Sequence, residues 1–235
     1  MRDMAYPIPE NEAARLEALR QYEILDTAPE QELDDITRLA AFIADMPIAT
    51  LTLIDEHRQW FKSKVGLDGS EGSREDAFCS HTIMGSDTMV VEDALKDERF
   101  ATNHYVLNAP HIRFYAGAPL RTPEGHGLGS LCVIDRKPRS LDEKQLAALE
   151  SLARLVMMKL EMRRVTQELA SALANVKTLN SLLPICAYCK SVRDDEGYWK
   201  QVESYLKEHA EVSFTHGICP NCVQEHFSQY TTAVP

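Results

Sequence analysis

Four of the six cysteines in this 235-residue chain stand as two C-x2-C pairs, Cys186-Ala187-Tyr188-Cys189 and Cys219-Pro220-Asn221-Cys222. Each pair suits a tight turn that aims two sulfurs at one centre, and two such turns complete a tetrahedral thiolate site for Zn2+. Four sulfur ligands leave no coordination position for water, so the expected zinc is structural rather than catalytic. The stretch between the pairs is longer than in short zinc ribbons. Trp199, Val202, Tyr205 and Leu206 give it helical spacing over residues 198–209. The segment after Pro184 is too small to bury much apolar surface, and a bound metal explains how it folds. His216, three residues before Cys219, is an alternative fourth ligand. A dithiol–disulfide role fits less well, because a thioredoxin-like motif needs one CxxC at a βα junction.

The other two cysteines, Cys79 and Cys132, read as small core residues on a helix and a strand. The elements that hold them follow from periodicity. Leu16 and Leu19 share a face of a first helix, and Leu33, Ile36, Leu39, Ala40 and Ile43 a face of a second. Ile48–Ile54 and Gln59–Lys64, joined by a polar turn, predict a strand pair. A helix is expected over 77–84 and a strand over 88–92. A second hairpin, 113–120 with 128–134, closes around Thr122-Pro123-Glu124-Gly125-His126-Gly127. Hairpins without regular βαβ alternation argue for an antiparallel α+β sheet.

Ser140-Leu141-Asp142-Glu143 has the form of a capping box opening a long helix. Along it Leu155, Met158, Met162, Val165, Leu169, Ala172, Val176, Leu179 and Leu183 recur in alternating steps of three and four. That is the spacing of a coiled-coil seam, and it predicts a homodimer through residues 141–183. Pro184 ends the helix. The expected organisation is a sensory domain over 1–140, a coiled-coil helix over 141–183 and a four-cysteine zinc module over 184–235.

The formal net charge of -11 disfavours non-specific attraction to nucleic acid or anionic lipid. Met1-Arg2-Asp3-Met4 leads into a polar stretch rather than an apolar signal-peptide core. The longest apolar region, Leu39 to Ile54, is interrupted by Asp45 and Pro47, too soon to span a bilayer. The location expected from these features is cytoplasmic, with no membrane contact.

From about Glu12 to Arg164 the chain resembles a bacterial GAF domain. The motifs that carry the resemblance are Leu25-Asp26-Thr27 with Pro29-Glu30, Arg58-Gln59-Trp60-Phe61-Lys62, Phe78-Cys79-Ser80-His81-Thr82-Ile83, Arg113-Phe114-Tyr115-Ala116-Gly117-Ala118-Pro119-Leu120, and Gly129-Ser130-Leu131-Cys132-Val133-Ile134-Asp135. The segment after Pro184 is similar to a cysteine-rich tail found after GAF, PAS and receiver domains. The GAF resemblance implies a six-stranded antiparallel sheet with helices on one face and a ligand pocket on the other. It also implies signal transduction through helices that leave the domain. The family's ligands include cyclic nucleotides, haem, bilins and small metabolites, and the motifs do not choose among them. Ser80, where a bilin-binding domain has His after Cys, removes that attachment pair.

The residues expected near a ligand are Cys79, His81, Arg113 and Tyr115. Arg113 could anchor a carboxylate or phosphate, or sit in a surface ion pair. His81 could line a pocket or cap a helix. The function expected is a non-catalytic relay from a small ligand or partner, through a dimeric helix, to a zinc-stabilised surface for a protein partner. Two other classes remain as alternatives. One is a redox enzyme like the GAF-type methionine sulfoxide reductases, although no general base stands beside Cys79 or Cys132. The other is a zinc-dependent DNA-binding regulator, which the acidic balance after Pro184 disfavours.

Overall fold

The N-terminal periodicity forms two helices, α1 (Glu12–Gln21) and α2 (Gln31–Ala44), in a computed structural model that describes residues 6–180, 184–194, 196–209 and 213–227. The chain divides into two compact units, Met1–Ala170 and Ser171–Pro235. Leu16 and Leu19 are buried in α1, as their spacing predicts. The buried stripe of α2 is Leu33, Thr37, Ala40, Ala41 and Ala44. Leu39 and Ile43, expected on that face, are exposed, and Phe42 is 82% exposed. Alanines on the inner face let α2 lie close against the sheet, so the bulkier side chains turn outward.

Six strands build that sheet: β1 (Ile48–Ile54), β2 (Arg58–Val65), β3 (Glu71–Ser73), β4 (Met89–Val91), β5 (Phe114–Arg121) and β6 (Gly127–Asp135). They pair antiparallel in the order β3-β2-β1-β6-β5-β4. The two hairpins fall where turn chemistry places them. The three-residue β3 and the single-turn α4 (His104–Leu107) were not predicted, being too short for a period to register. Between β3 and β4 lies α3 (Phe78–Thr82).

Alternation along the central strands sends side chains to two different cores. Leu51, Leu53, Ala116, Ala118, Leu131 and Val133 meet the helices on one face. Ile48, Tyr115, Cys132 and Ile134 point the other way, against Phe78 and Cys79 of α3 and the loop residues Phe100, Val106 and Ile112. With both faces covered, every residue of β1 and of β6 is buried.

The long helix α5 spans Glu143–Asn180. Its cap is two residues beyond the expected box: the Gln145 N–H donates to Asp142 Oδ1 at 2.8 Å, and the Asp142 N–H donates to Gln145 Oε1 at 3.2 Å. This is the reciprocal capping pair, made by Asp142 and Gln145 rather than Ser140 and Glu143. One stripe of α5, Leu149, Leu152, Ala153, Val156 and Leu160, packs into the helix-side core. A different stripe, Leu155, Met158, Met162, Val165 and Leu169, is exposed, and it carries the three-four spacing seen in the sequence. Val176, Leu179 and Leu183 of that seam lie outside the described side chains.

Two of the motifs bind each other. Arg58 at the start of β2 donates to Asp26 at 2.6 Å and to Glu71 at 2.6 Å. Four residues on, the buried Lys62 ammonium meets Glu30 at 2.9 Å, Thr27 Oγ1 at 2.7 Å and the Ala28 carbonyl at 2.6 Å. The loop between α1 and α2 is thus pinned to β2 by two cations.

In the second unit, β7 (Val192–Arg193) and β8 (Trp199–Lys200) form a small antiparallel hairpin, followed by α6 (Val202–His209) and α7 (Pro220–His226). The helix expected from Tyr198 therefore begins four residues later. Gly197, at φ +92, and the Tyr198 N–H bonded to Asp194 Oδ1 at 2.8 Å make a turn that sends 199–200 into a strand. Pro220 takes the first turn of α7, where its missing N–H leaves no helical bond unmade.

Candidate functional site

A cavity of about 360 Å³ opens on the face of the sheet away from α2 and α5. Thr50, Cys132 and Ile134 supply its floor from β1 and β6, and Gln59 and Phe61 line it from β2. Phe78 and Cys79 cover it from α3, while Tyr105 and Ile112 line it from the segment around α4. The wall is aromatic as well as aliphatic: Phe78 stacks on Phe100 with centroids 4.0 Å apart and tilts against Tyr115 at 5.1 Å. Charged side chains enter the lining at Asp68, Glu71 and Arg136.

The floor is polar in its centre. Tyr115 Oη lies 2.7 Å from Thr82 Oγ1, 3.3 Å from Ser130 Oγ and 3.5 Å from Cys79 Sγ. Thr50 Oγ1 lies 2.7 Å from Thr52 Oγ1 and 3.0 Å from Cys132 Sγ. Gly117 makes this possible: it faces Cys132 across the β5–β6 ladder, and a Cβ there would occupy the place of the Tyr115 hydroxyl. Burial pushes the Tyr115 phenol well above its ordinary value, so it stays protonated. The floor therefore presents neutral hydroxyls and the Cys132 thiol, groups that can both donate and accept.

Of the four residues expected near a ligand, the structure brings Cys79 and Tyr115 to the cavity. His81 and Arg113 are not among its lining residues. His81 packs edge-on against Phe100 at 4.8 Å, where burial and the nearby Arg99 lower its pKa. Arg113 Nη1 donates to the carbonyls of Val106 and Ile112, both at 2.9 Å, and so props the segment that walls the cavity. Sequence reading missed Thr50, Gln59 and Cys132 as lining residues. A signal existed for Thr50: in Ile48-Ala49-Thr50-Leu51-Thr52-Leu53-Ile54 the two hydroxyls alternate with leucines, which puts them together on one face.

In the second unit each cysteine pair spans its own turn, Cys186 with Cys189 and Cys219 with Cys222 at the start of α7. The Lys190 N–H closes the first turn on the Cys186 carbonyl at 3.0 Å. Hydrogen bonds from Ser191 hold the Cys189 thiol at about 7, below the ordinary thiol value. Among the described residues, no group of three or more His, Cys, Asp or Glu is gathered as a metal site, so the two pairs do not form one cluster. No helix among the described residues is long and apolar enough to cross a membrane.

Comparison with known proteins places these features in context. The family profile described as GAF domain matches residues 28–160. A cyclic di-GMP phosphodiesterase of Pseudomonas aeruginosa is 44% identical over 161 residues, which cover 68% of this chain and 27% of that protein. The chain thus spans about a quarter of that relative's length. A match this long necessarily includes the centre of the chain, where Cys79, Tyr115 and Cys132 lie. Among solved structures, the GAF domain of a Coxiella burnetii phosphoenolpyruvate-protein phosphotransferase superposes with a TM-score of 0.51 at 16% identity, covering 68% of this chain and 99% of that one. The corresponding Acinetobacter domain gives 0.50 at 18% identity, covering 67% and 97%. These two share the fold.

The phosphodiesterase overturns one expectation. The expected role is a non-catalytic relay, but the matching relative is named as an enzyme.

Proposed function

The chain belongs to the GAF domain family, and on that premise we propose that it works in cyclic di-GMP hydrolysis, with a small ligand in the GAF cavity setting the rate. One observation carries this reading: the segment shared with a phosphodiesterase contains Cys79, Tyr115 and Cys132 of the cavity. The cavity's size and charge argue that its ligand is not cyclic di-GMP. About 360 Å³ is near the small end of ligand pockets, and with Glu71 already paired to Arg58 the lining leaves Asp68 against Arg136, no cationic excess for a dianionic dinucleotide. The hydroxyl and thiol floor would fix the orientation of such a ligand, and the aromatic wall would supply most of its contact area.

The test couples binding to turnover. A neutral metabolite that binds the cavity should stabilise the chain by about 2.7 kcal/mol at 100 times its Kd. Leu67→Trp, at a partly exposed point of the cavity wall, should remove that gain. Cyclic di-GMP hydrolysis by the purified chain should change when the metabolite is added. Hydrolysis that is undetectable, or indifferent to a Leu67→Trp-sensitive binder, would end the proposal.

The relay that we propose runs through α5 in a homodimer and ends in a zinc-bound second unit that meets a protein partner. Support for the dimer is the exposed stripe from Leu155 to Leu169, which repeats at coiled-coil spacing while a separate stripe packs the core. Support for the metal is the donor chemistry, two cysteine pairs of the type that hold zinc. Zinc would join the pairs and so couple metal binding to folding of this unit. One preparation checks both parts. Sedimentation should give two chains per particle and metal analysis one zinc per chain, with Met158→Glu/Met162→Glu monomeric and Cys219→Ser without zinc. A monomeric native chain would discard the relay, and a native chain without zinc would discard the metal.

A further inference from the structure

Cys79 and Cys132 come from distant parts of the chain yet meet in the cavity. The turn of α3 holds Cys79 over β6, and the pleat of β6 points Cys132 back at it. Both belong to one core cluster and to the lining of one cavity. Two buried cysteines in a sealed core would be inert packing. These two instead belong to the lining of a cavity, Cys79 at 3% exposure and Cys132 at 1%, so a solute in the cavity meets Cys79 first. Hydroxyl groups surround them, with Tyr115 Oη 3.5 Å from Cys79 Sγ and Thr50 Oγ1 3.0 Å from Cys132 Sγ.

We propose that Cys79 and Cys132 are a redox pair that a small hydroperoxide entering the cavity oxidises to a Cys79–Cys132 disulfide. Cys79 is the attacking sulfur. Hydrogen bonds, among them the Tyr115 hydroxyl at 3.5 Å, lower the Cys79 thiol to about 7 against the effect of burial, while Cys132 is raised and keeps its proton. In the first step the Cys79 thiolate takes the terminal peroxide oxygen. The O–O bond breaks, Cys79 becomes a sulfenic acid, and the departing alkoxide or hydroxide takes up the proton that Cys79 gave up. In the second step the Cys132 sulfur attacks the Cys79 sulfur, and the Cys132 proton leaves with the sulfenic oxygen as water. The dithiol loses two electrons and the peroxide gains them. Side-chain rotation must bring the two sulfurs to the bond length of about 2.05 Å. The product ties α3 to the floor of the cavity. This chemistry needs neither the metabolite nor the phosphodiesterase activity, so it stands apart from the proposed function.

The test uses the full chain, reduced and freed of reductant, then treated with hydrogen peroxide, alkylated in denaturant and digested with trypsin. The expected product joins peptide 75–96 to peptide 122–136, lighter than the two reduced peptides together by two hydrogens, and is split again by dithiothreitol. In Cys132→Ser, Cys79 should be trapped as a sulfenic acid by a cyclic dione. In Cys79→Ser, Cys132 should be recovered as the free thiol. Peptides 75–96 and 122–136 recovered as separate thiols after the cysteines of the second unit have oxidised would overturn the proposal. So would either peptide linked only to those cysteines, or linkage that forms only when peroxide is added in denaturant.

Discussion

Glu12→Gln is expected to destabilise the first unit by about 3–5 kcal/mol, the range for breaking a buried ion pair from one side. The residue looks minor in the sequence, one acid among many at the start of a helix. In the fold its two oxygens serve two buried guanidiniums. Arg15 donates Nε and Nη2 to them, both at 2.7 Å, and Arg74 donates Nη1 at 2.6 Å. Arg15 is 1% exposed and Arg74 2%, so neither can turn to water for compensation. Arg74 already holds Nε and Nη2 without a hydrogen-bond partner, which makes its remaining bonds the harder to lose. Chemical denaturation of the variant against the native chain measures the loss. A change below about 1 kcal/mol would mean that the cluster is solvated after all.

The same carboxylate predicts how stability depends on acid. Burial acts to raise the Glu12 pKa, but the hydrogen bonds from Arg15 and Arg74 outweigh it and lower the pKa below the ordinary 4.5. A carboxyl whose folded pKa is depressed contributes fully above its unfolded value and loses that contribution as pH falls through the folded one. Glu12→Gln should therefore flatten the acid limb of the stability profile below about pH 4.5. At neutral pH it removes the contribution altogether.

The second large effect is expected at Gly129. A Cβ there would be driven into the Thr52 carbonyl and would stand 2.9 Å from Leu53 Cα. Gly129 faces Leu53 across the β1–β6 ladder, where both strands are buried at every residue. The obstructing atoms are backbone, so no rotamer change relieves the clash. Gly129→Ala should cost about 3 kcal/mol, the upper part of the usual range for overpacking. Gly85→Ala is the control, since its Cβ would meet nothing closer than 3.9 Å. Equal melting temperatures for the two variants would show that the central strands can part at this point.

Where the sequence carried a long, regular signal, the fold was legible in it. The β-branched run of β1 with its polar turn and the turn chemistry of the β5–β6 loop placed the central hairpins within a residue or two. Shorter elements left no period to read, which is why β3 and α4 were missed. The stripe on α2 was misassigned at Leu39 and Ile43 because hydrophobicity ranks them above alanine. Close packing on a sheet selects small residues instead. The candidate site was half legible. Cys79 and Tyr115 could be named from their motifs, but Gln59 and Cys132 join them only through pairing across strands distant in sequence. Nothing local marks such a meeting. Arg113 shows the opposite failure: a cation on a strand invites a ligand, but its guanidinium is held by two main-chain carbonyls.

Strand β6 is read from both sides, with Cys132 and Ile134 facing the cavity and Leu131 and Val133 facing the helical layer that includes Leu152 and Val156 of α5. One peptide thickness therefore separates whatever fills the cavity from the root of a helix. Within the first unit α5 runs from Glu143 to Ala170, about 40 Å at 1.5 Å per residue. Such a rod is a lever with its fulcrum on the sheet. Tilting it by about one degree carries its far end through roughly 0.7 Å at that length. A sub-ångström shuffle of the floor would then be delivered at the tip as a displacement of comparable size or larger, with no hinge required.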